Sequence, residues 1–358
     1  MNEPQKVFVA LSGGVDSAVT AVRLLNEGYQ VTGIYMQTWK DPKWLELLEE
    51  SKAPDLMAAA VAESLGIPFV CLDVRDRFFQ QVVRTFIQEY ASGKTPNPCL
   101  FCNPQVKWGI LQNYAIEHGA DYFATGHYAR RQIGSDDRVR LLRGVDKSKD
   151  QSYVLSMLSQ AQLRRSLLPL GELTKEDVRL QAQALNLPVA DRQDSQDLCF
   201  LGDIDYRDLL QRIAPDAAAP GEIVNTNGEV LGQHQGLAYY TIGQRKGIRI
   251  AARQPYYVVS KDKVNNRLIV GFAEQARKRC LRAIQPNWIA GEPPAAASRC
   301  DVMVRYRAQP VPAVLTSISG DEFRLELSQP LRGITPGQVA VLYQDEVCLG
   351  GGIIENAW

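Results

Sequence analysis

Three stretches of this 358-residue sequence hold side chains in spacings that suit chemistry. The first is Ser12-Gly13-Gly14-Val15-Asp16-Ser17. Its glycines let backbone N–H groups turn toward an anion, its hydroxyls add donors, and Asp16 can help hold Mg²⁺ on a phosphate. No Lys follows Gly14, as a Walker A loop requires, and the spacing is not the Gly-x-Gly-x-x-Gly of a dinucleotide site. What remains suits a free pyrophosphate, and so ATP cleaved between its α- and β-phosphates. The second stretch is Asn97-Pro98-Cys99-Leu100-Phe101-Cys102-Asn103, and the third holds Cys199 in the polar loop 193–202. Asn103 reads as a helix N-cap with Pro104 at the first helical position, so the helix dipole would favour a Cys102 thiolate. Two loop cysteines beside an adenylating loop suggest sulfur transfer. One carries a persulfide sulfur, and the other attacks the spent persulfide to free the product.

A zinc site would need a second Cys pair or clustered histidines. There is no second C-x-x-C, and His118, His127 and His234 are scattered, so no metal site is assigned. An iron–sulfur cluster on Cys99, Cys102 and Cys199 stands as an alternative that is not favoured. Cys71, Cys280, Cys300 and Cys348 lie in strand-like or ordinary segments and read as packing.

The elements that must position these groups read as a doubly wound α/β sheet. Residues 6–11 form an apolar, β-branched run. A helix follows, with Val15, Val19, Val22 and Leu25 on one face and Gly28 as its stop. Strands are expected at 31–36, 69–74 and 122–125, with helices at 55–65, 77–90, 103–118, 174–186 and 206–213. Residues 39–54 read as irregular or as a short helix. From Gly221 the helical signal ends. Residues 223–231 form a hairpin pattern around Asn227-Gly228, and strands are expected at 239–242 and 256–259. Short alternating runs at 302–306, 314–318, 323–327, 339–343 and 347–349 suggest a small antiparallel β-barrel. This divides the chain into 1–205, 206–275 and 276–358.

Net charge is +0, but it is uneven. Residues 1–100 carry 9 basic and 12 acidic side chains, a net of −3. Residues 245–282 carry 11 and 2, a net of +9, and residues 130–149 carry 7 and 3, a net of +4. A polyanionic partner met by the middle and C-terminal parts is expected. No apolar run reaches transmembrane length, and seven cysteines without a secretion signal point to a reducing cytoplasm.

The loop at 12–17 resembles the pyrophosphatase loop of ATP enzymes that adenylate a carbonyl. Taken with Thr95-Pro96-Asn97-Pro98-Cys99, Thr125-Gly126-His127-Tyr128, Lys149-Asp150-Gln151-Ser152-Tyr153, residues 195–200, residues 240–247 and Val304-Arg305-Tyr306-Arg307, it looks like the motif set of the tRNA-specific 2-thiouridylases. These motifs appear in family order across almost the whole chain. The resemblance implies an adenine nucleotide hydrolase-like domain and adenylation of the C2 carbonyl of a tRNA wobble uridine. Sulfur then arrives from a persulfide donor or relay protein. It implies that Ala10, Leu11, Ser12, Gly13, Gly14, Val15, Asp16, Ser17, Met36 and Gly126 bind ATP with Mg²⁺. By the same resemblance, Asn97, Pro98 and Cys99 meet the target base. Cys102 is the nucleophile and Cys199 the persulfide carrier, with a Cys102–Cys199 disulfide closing the turnover. His127, Lys149, Asp150, Gln151, Arg305, Tyr306 and Gln338 touch tRNA. This chain has Cys99 where many members have Asp, and its segment after Trp39 is short and lacks a Cys often found there. The competing readings are an amidotransferase-type synthetase, which would need neither Cys102 nor Cys199, and a catalytically silent RNA-binding protein, which would need no intact phosphate loop.

Overall fold

The computed structural model describes residues 3–47, 54–193, 198–202 and 204–358. Expectations falling on 48–53 and on 194–197 of the Cys199 loop lie outside them.

β1 (Lys6–Ala10) lies at the centre of the first sheet, and its side chains alternate. Val7 and Val9 are fully buried on the face covered by α1 (Val15–Asn26), while Phe8 and Ala10 face the opposite core. Glu27 is the C-cap of α1, and Gly28 follows at φ +86°, the left-handed stop expected there. Next come β2 (Gln30–Gln37), α2 (Pro42–Leu47), α3 (Pro54–Ser64) and β3 (Phe69–Asp73). Two long helices follow, α4 (75–91) and α5 (99–117), then β4 (Tyr122–Ala124). The chain continues through β5 (Ala129–Ile133), β6 (Val139–Arg143), α6 (Ser152–Leu155), α7 (Gln160–Arg164) and β7 (Ser166–Leu167). It then enters α8 (Lys175–Ala184) and α9 (Tyr206–Ile213). The first sheet is parallel throughout, in the order β3-β2-β1-β4-β7, with helices on both faces. This is the doubly wound arrangement expected. α8 opens with the reciprocal capping box read at Thr174 and Asp177.

One boundary differs in a way that matters for the site. α5 begins at Cys99, not at Asn103. Pro98 is the N-cap residue and has no side-chain acceptor to cap with; the Asn97 carboxamide before it accepts the Cys99 N–H (3.1 Å) in a turn that leads into the helix, whereas Asn103 is buried and donates its side-chain N–H to the Val154 carbonyl (2.8 Å). Pro104 therefore sits inside a helix, where it has no N–H to donate. The backbone accommodates it by widening to i→i+5 hydrogen bonding over Asn103–Leu111, and the Gln112 N–H still reaches back to the Lys107 carbonyl.

The second sheet has the order β10-β11-β8-β9, with β8 (Gly221–Asn225) and β9 (Val230–His234) forming the expected hairpin. β10 (Tyr257–Asp262) and β11 (Arg267–Gly271) complete it. The strand expected at 239–242 is absent. Gly236 at φ +138° breaks the extension, and Leu237–Tyr239 form a single tight turn.

The third sheet is an antiparallel barrel of β12 (Arg277–Trp288), β13 (Arg299–Met303), β14 (Val311–Ser319), β15 (Glu322–Arg332), β16 (Val339–Gln344) and β17 (Val347–Ala357). Pairing of β12 with β17 closes it. β13 stops at Met303 rather than at Tyr306, because the chain leaves the sheet and turns at Arg307, φ +61°. The β5–β6 hairpin extends the barrel sheet through Val347↔Leu142 and Cys348↔Leu141. A segment of the N-terminal part is thus hydrogen-bonded to the C-terminal barrel.

Leu141 is fully buried at this junction. Leu141→Ala should cost about 2–5 kcal/mol, read as a fall in the urea midpoint at unchanged slope. A midpoint equal to wild type would mean that the junction carries no stability.

Candidate functional site

The residues 12–17 turn lies between β1 and α1, at the carboxyl end of the parallel sheet. Gly13 takes φ +71°, and a Cβ there would lie 2.6 Å from the Pro54 carbonyl oxygen, so only glycine fits. Ser17 donates its hydroxyl to the Gly14 carbonyl (3.0 Å) and accepts the Ser12 N–H (3.1 Å), which folds the loop on itself. Gly14 precedes α1 without a side-chain cap, so the first-turn N–H groups have no intrahelical partner. Leu11 and Val15 bury their side chains in the core, so they can offer a ligand only backbone. Gly126 follows β4 against Asp16. A Cβ there would stand 3.0 Å from the Asp16 carbonyl carbon, so a larger residue would have to push the Asp16 backbone by a few tenths of an ångström. Met36 sits near the end of β2, beside Leu72.

Asp16 is not a free carboxylate on an open turn. Its Oδ1 accepts the Tyr128 hydroxyl (2.7 Å) and pairs with the Lys175 ammonium (2.6 Å). Arg192 donates to the Gly13 carbonyl (2.6 Å). Tyr128, Lys175 and Arg192 thus frame the loop; Tyr128 stood in the 125–128 motif without a role of its own, and Lys175 and Arg192 were not expected. Lys175 did carry a signal: a base in the first turn of α8, where the helix dipole favours acids.

The three cysteines Cys99, Cys102 and Cys199 lie within electrostatic reach of one another: Cys199 acts on both of the others, and Cys99 acts on Cys102. All are free thiols. Cys199 is exposed, as its polar loop implied. Its neighbour Phe200 is buried among Trp39, Phe78 and Phe86 and anchors the loop. Lys40 ties the same loop down by donating to the Cys199 carbonyl (2.8 Å). Cys102 differs from expectation. It lies in the first turn of α5, yet only 7% of it is exposed, and burial pushes its thiol up to about 12. Desolvation outweighs the helix dipole, so the resting group is a thiol and not a thiolate. Lys107 and Lys40 oppose the shift.

The residues expected to meet the base or tRNA fall into two groups. In the first, Asn97 accepts the Cys99 N–H, and Pro98 is the N-cap residue of the helix. Asp150 accepts from the Gly144 and Ser152 N–H groups (3.0 Å each) and from the Ser152 hydroxyl (3.0 Å). Gln151 accepts the Tyr128 N–H (2.9 Å), and Lys149 stands on that ordered turn, its N–H donated to Asp146. His127 is buried, with Nδ1 2.8 Å from the Thr125 hydroxyl; burial, then the charge of Lys107, keeps the imidazole well below its usual range and so neutral. In the second group, Gln338 reaches from the barrel to donate to the Thr95 carbonyl (2.6 Å), and Tyr306 packs its ring 5.9 Å from Tyr153. Arg305 is exposed and lines a cleft of about 820 Å³ with Thr95, Gln244, Arg277, Arg332 and Gln338. The loop before α5, the segment 241–257 that ends in the second sheet, and the barrel meet there, and its charged members are arginines.

Among the described residues no group of three or more His, Cys, Asp or Glu could hold a metal ion, and no helix is long and apolar enough to cross a membrane.

A parallel sheet with a glycine–hydroxyl loop, followed by a small β-domain and a closed barrel, defines a class that the family models describe in the same order. Residues 5–203 match the tRNA methyl transferase HUP domain, 207–272 the tRNA methyl transferase PRC-barrel domain, and 278–354 the aminomethyltransferase β-barrel domain. The tRNA-specific 2-thiouridylase MnmA of Carboxydothermus hydrogenoformans is 45% identical, covering 98% of each chain. Its namesake in Proteus mirabilis is 44% identical over 99% of this chain and 98% of its own. The chain belongs to the tRNA-specific 2-thiouridylase family, the tRNA-uridine 2-sulfurtransferases.

Proposed function

We propose that this chain replaces the C2 oxygen of the wobble uridine of tRNA with sulfur, at the expense of ATP. What supports the reading is the electrostatic proximity of Cys99, Cys102 and Cys199 in a chain whose residues 12–17 fold into a glycine–hydroxyl turn at a helix N-terminus. The residues 10–17 segment, Gly126 and Met36 receive ATP. Asp16 is the loop carboxylate that could meet the Mg²⁺ of bound MgATP, through the oxygen not held by Tyr128 and Lys175, and the ion would neutralise phosphate charge there. The uridine oxygen attacks the α-phosphorus, pyrophosphate leaves, and C2 carries an AMP ester. The terminal sulfur of a Cys199 persulfide then bonds to C2. Cys102, as thiolate, attacks the Cys199 sulfur. The S–S bond to the delivered sulfur breaks, a Cys102–Cys199 disulfide forms, and C2=S forms as AMP departs. An external thiol reduces that disulfide for the next turnover. Asn97, Pro98 and Cys99 meet the base, while His127, residues 149–151, Arg305, Tyr306 and Gln338 shape the tRNA surface. We place the reaction in the cytoplasm, with a persulfide donor protein as partner.

The test is nucleoside mass spectrometry of tRNA incubated with the protein, ATP, Mg²⁺ and a persulfide donor. 2-Thiouridine is expected. Its absence, with ATP–pyrophosphate exchange that responds to a small molecule but not to tRNA, would favour the synthetase reading.

Binding should also respond to salt. Arg277 pairs with Glu274 (3.0 Å) and Arg279 with Glu326 (3.2 Å), while Arg245, Lys246 and Lys278 have no ion pair among the described residues. If these five side chains neutralise phosphates, log affinity for tRNA should fall against log salt by roughly 0.7–0.9 per contact. The Arg245→Gln, Lys246→Gln double variant should flatten the slope by about two contacts. A salt-independent affinity would make this charge a solvated face.

A further inference from the structure

α5 carries Cys102 and, five residues on, Lys107. In an α-helix five residues span about 500°, which leaves the two side chains about 140° apart. Here the segment between them is the widened one, Asn103–Leu111, where hydrogen bonds run i→i+5. In such a turn the fifth residue returns to nearly the same face. Lys107 is therefore carried round to the Cys102 side, and its charge is the largest one acting on both Cys99 and Cys102. Its position is held from the other side. The Lys107 Nζ lies 3.4 Å from His127 Nε2, and the His127 Nδ1 lies 2.8 Å from the Thr125 hydroxyl. With the ring neutral, an Nδ1–H donated to Thr125 leaves Nε2 as an acceptor for the ammonium. Trp108, fully buried and 5.5 Å from the His127 ring, backs the imidazole.

We propose that Lys107 is a positioning residue for sulfur transfer: its ammonium, held by His127 on the Cys102 face of the widened helix, is the counter-ion of the Cys102 thiolate. The thiol proton leaves to solvent, and the charge left on sulfur is met by Lys107. The other titratable groups that act on Cys102 are Cys99 and Cys199, which oppose ionisation, and Lys40, which assists more weakly than Lys107. The purpose of the device rests on the sulfur-transfer reading above, but its presence does not.

The test is alkylation of the full chain by iodoacetamide from pH 7 to 10, with fragment-ion mass spectrometry locating the label on Cys102. Lys107→Met should slow Cys102 labelling by roughly tenfold at a given pH, which is one unit of its titration. Lys107→Arg should restore it. Cys348, buried in the barrel, should stay protected from labelling in all three proteins and reports an intact fold, while exposed Cys71 should label equally and reports equal reagent. In tRNA thiolation, the acid limb of the pH–rate profile should move up for Lys107→Met and return for Lys107→Arg. Equal Cys102 labelling across the pH range in wild type and Lys107→Met, or a loss that Lys107→Arg does not rescue, overturns the proposal. Labelling that shifts as expected in a protein that thiolates no tRNA would uphold the Lys107–Cys102 pair and overturn the functional reading instead.

Discussion

Cys199→Ser is expected to lose persulfide labelling by a donor, whereas Cys102→Ser still accepts that sulfur, and each should lower 2-thiouridine formation by roughly 1,000-fold or more. The asymmetry follows from where the two thiols sit. Cys199 is exposed, on a loop anchored by the buried Phe200 and by Lys40, so a donor can reach it. Cys102 is buried and un-ionised at rest, which suits a group that must act only after the base and the carrier are in place. Both substitutions should leave tRNA-dependent pyrophosphate release intact, because neither thiol belongs to the phosphate loop. Mild oxidation of wild type should give a Cys102–Cys199 disulfide by peptide mapping. Cys99 offers a rival bond, and a Cys99–Cys199 product would reassign the resolving role. Wild-type thiolation by Cys199→Ser would remove the persulfide relay altogether.

Asp16→Ala should reduce pyrophosphate release by roughly 100-fold or more, since it deletes the one carboxylate of the 12–17 loop. The substitution also takes a carboxylate away from Lys175, whose side chain is 11% exposed and bonded to Asp16 at 2.6 Å. A stability cost of about 1–3 kcal/mol is expected with it. Asp16→Asn separates the two effects: its amide oxygen still accepts the Tyr128 hydroxyl and Lys175, so stability should largely return while pyrophosphate release stays low. Release at the wild-type rate from a folded Asp16→Ala protein would take Asp16 out of the metal and phosphate machinery. Recovery of release in Asp16→Asn would show that the loss came from the fold.

What the residues alone determined was local. The β-branched run at 6–11, the glycine turn, the amphipathic face of α1 and the Thr174–Asp177 box depend on neighbours in the chain, and each forms as its pattern requires. The alternating runs after Gly221 likewise specify strands, because a period of two can bury only one face of a sheet. Even so, no strand forms at 239–242: Gly236 at φ +138° leads into a tight turn at Leu237–Tyr239, a conformation that no hydrophobic pattern encodes. Tertiary structure decided the rest. It closed the barrel through β12 and β17, and it bonded the β5–β6 hairpin to that barrel across some two hundred residues of sequence. It set Lys175, Tyr128 and Arg192 around a loop 112 to 179 residues away, and brought Gln338 onto Thr95. The chemistry of Cys102 was decided there too. A helix terminus read from sequence predicts a thiolate, because the dipole is a local property of the backbone. Burial is a property of everything packed around the sulfur, and here it outweighs the dipole. Lys107 makes the same point: its place on the Cys102 face depends on a widened turn around Pro104, which 3.6-residue spacing does not show.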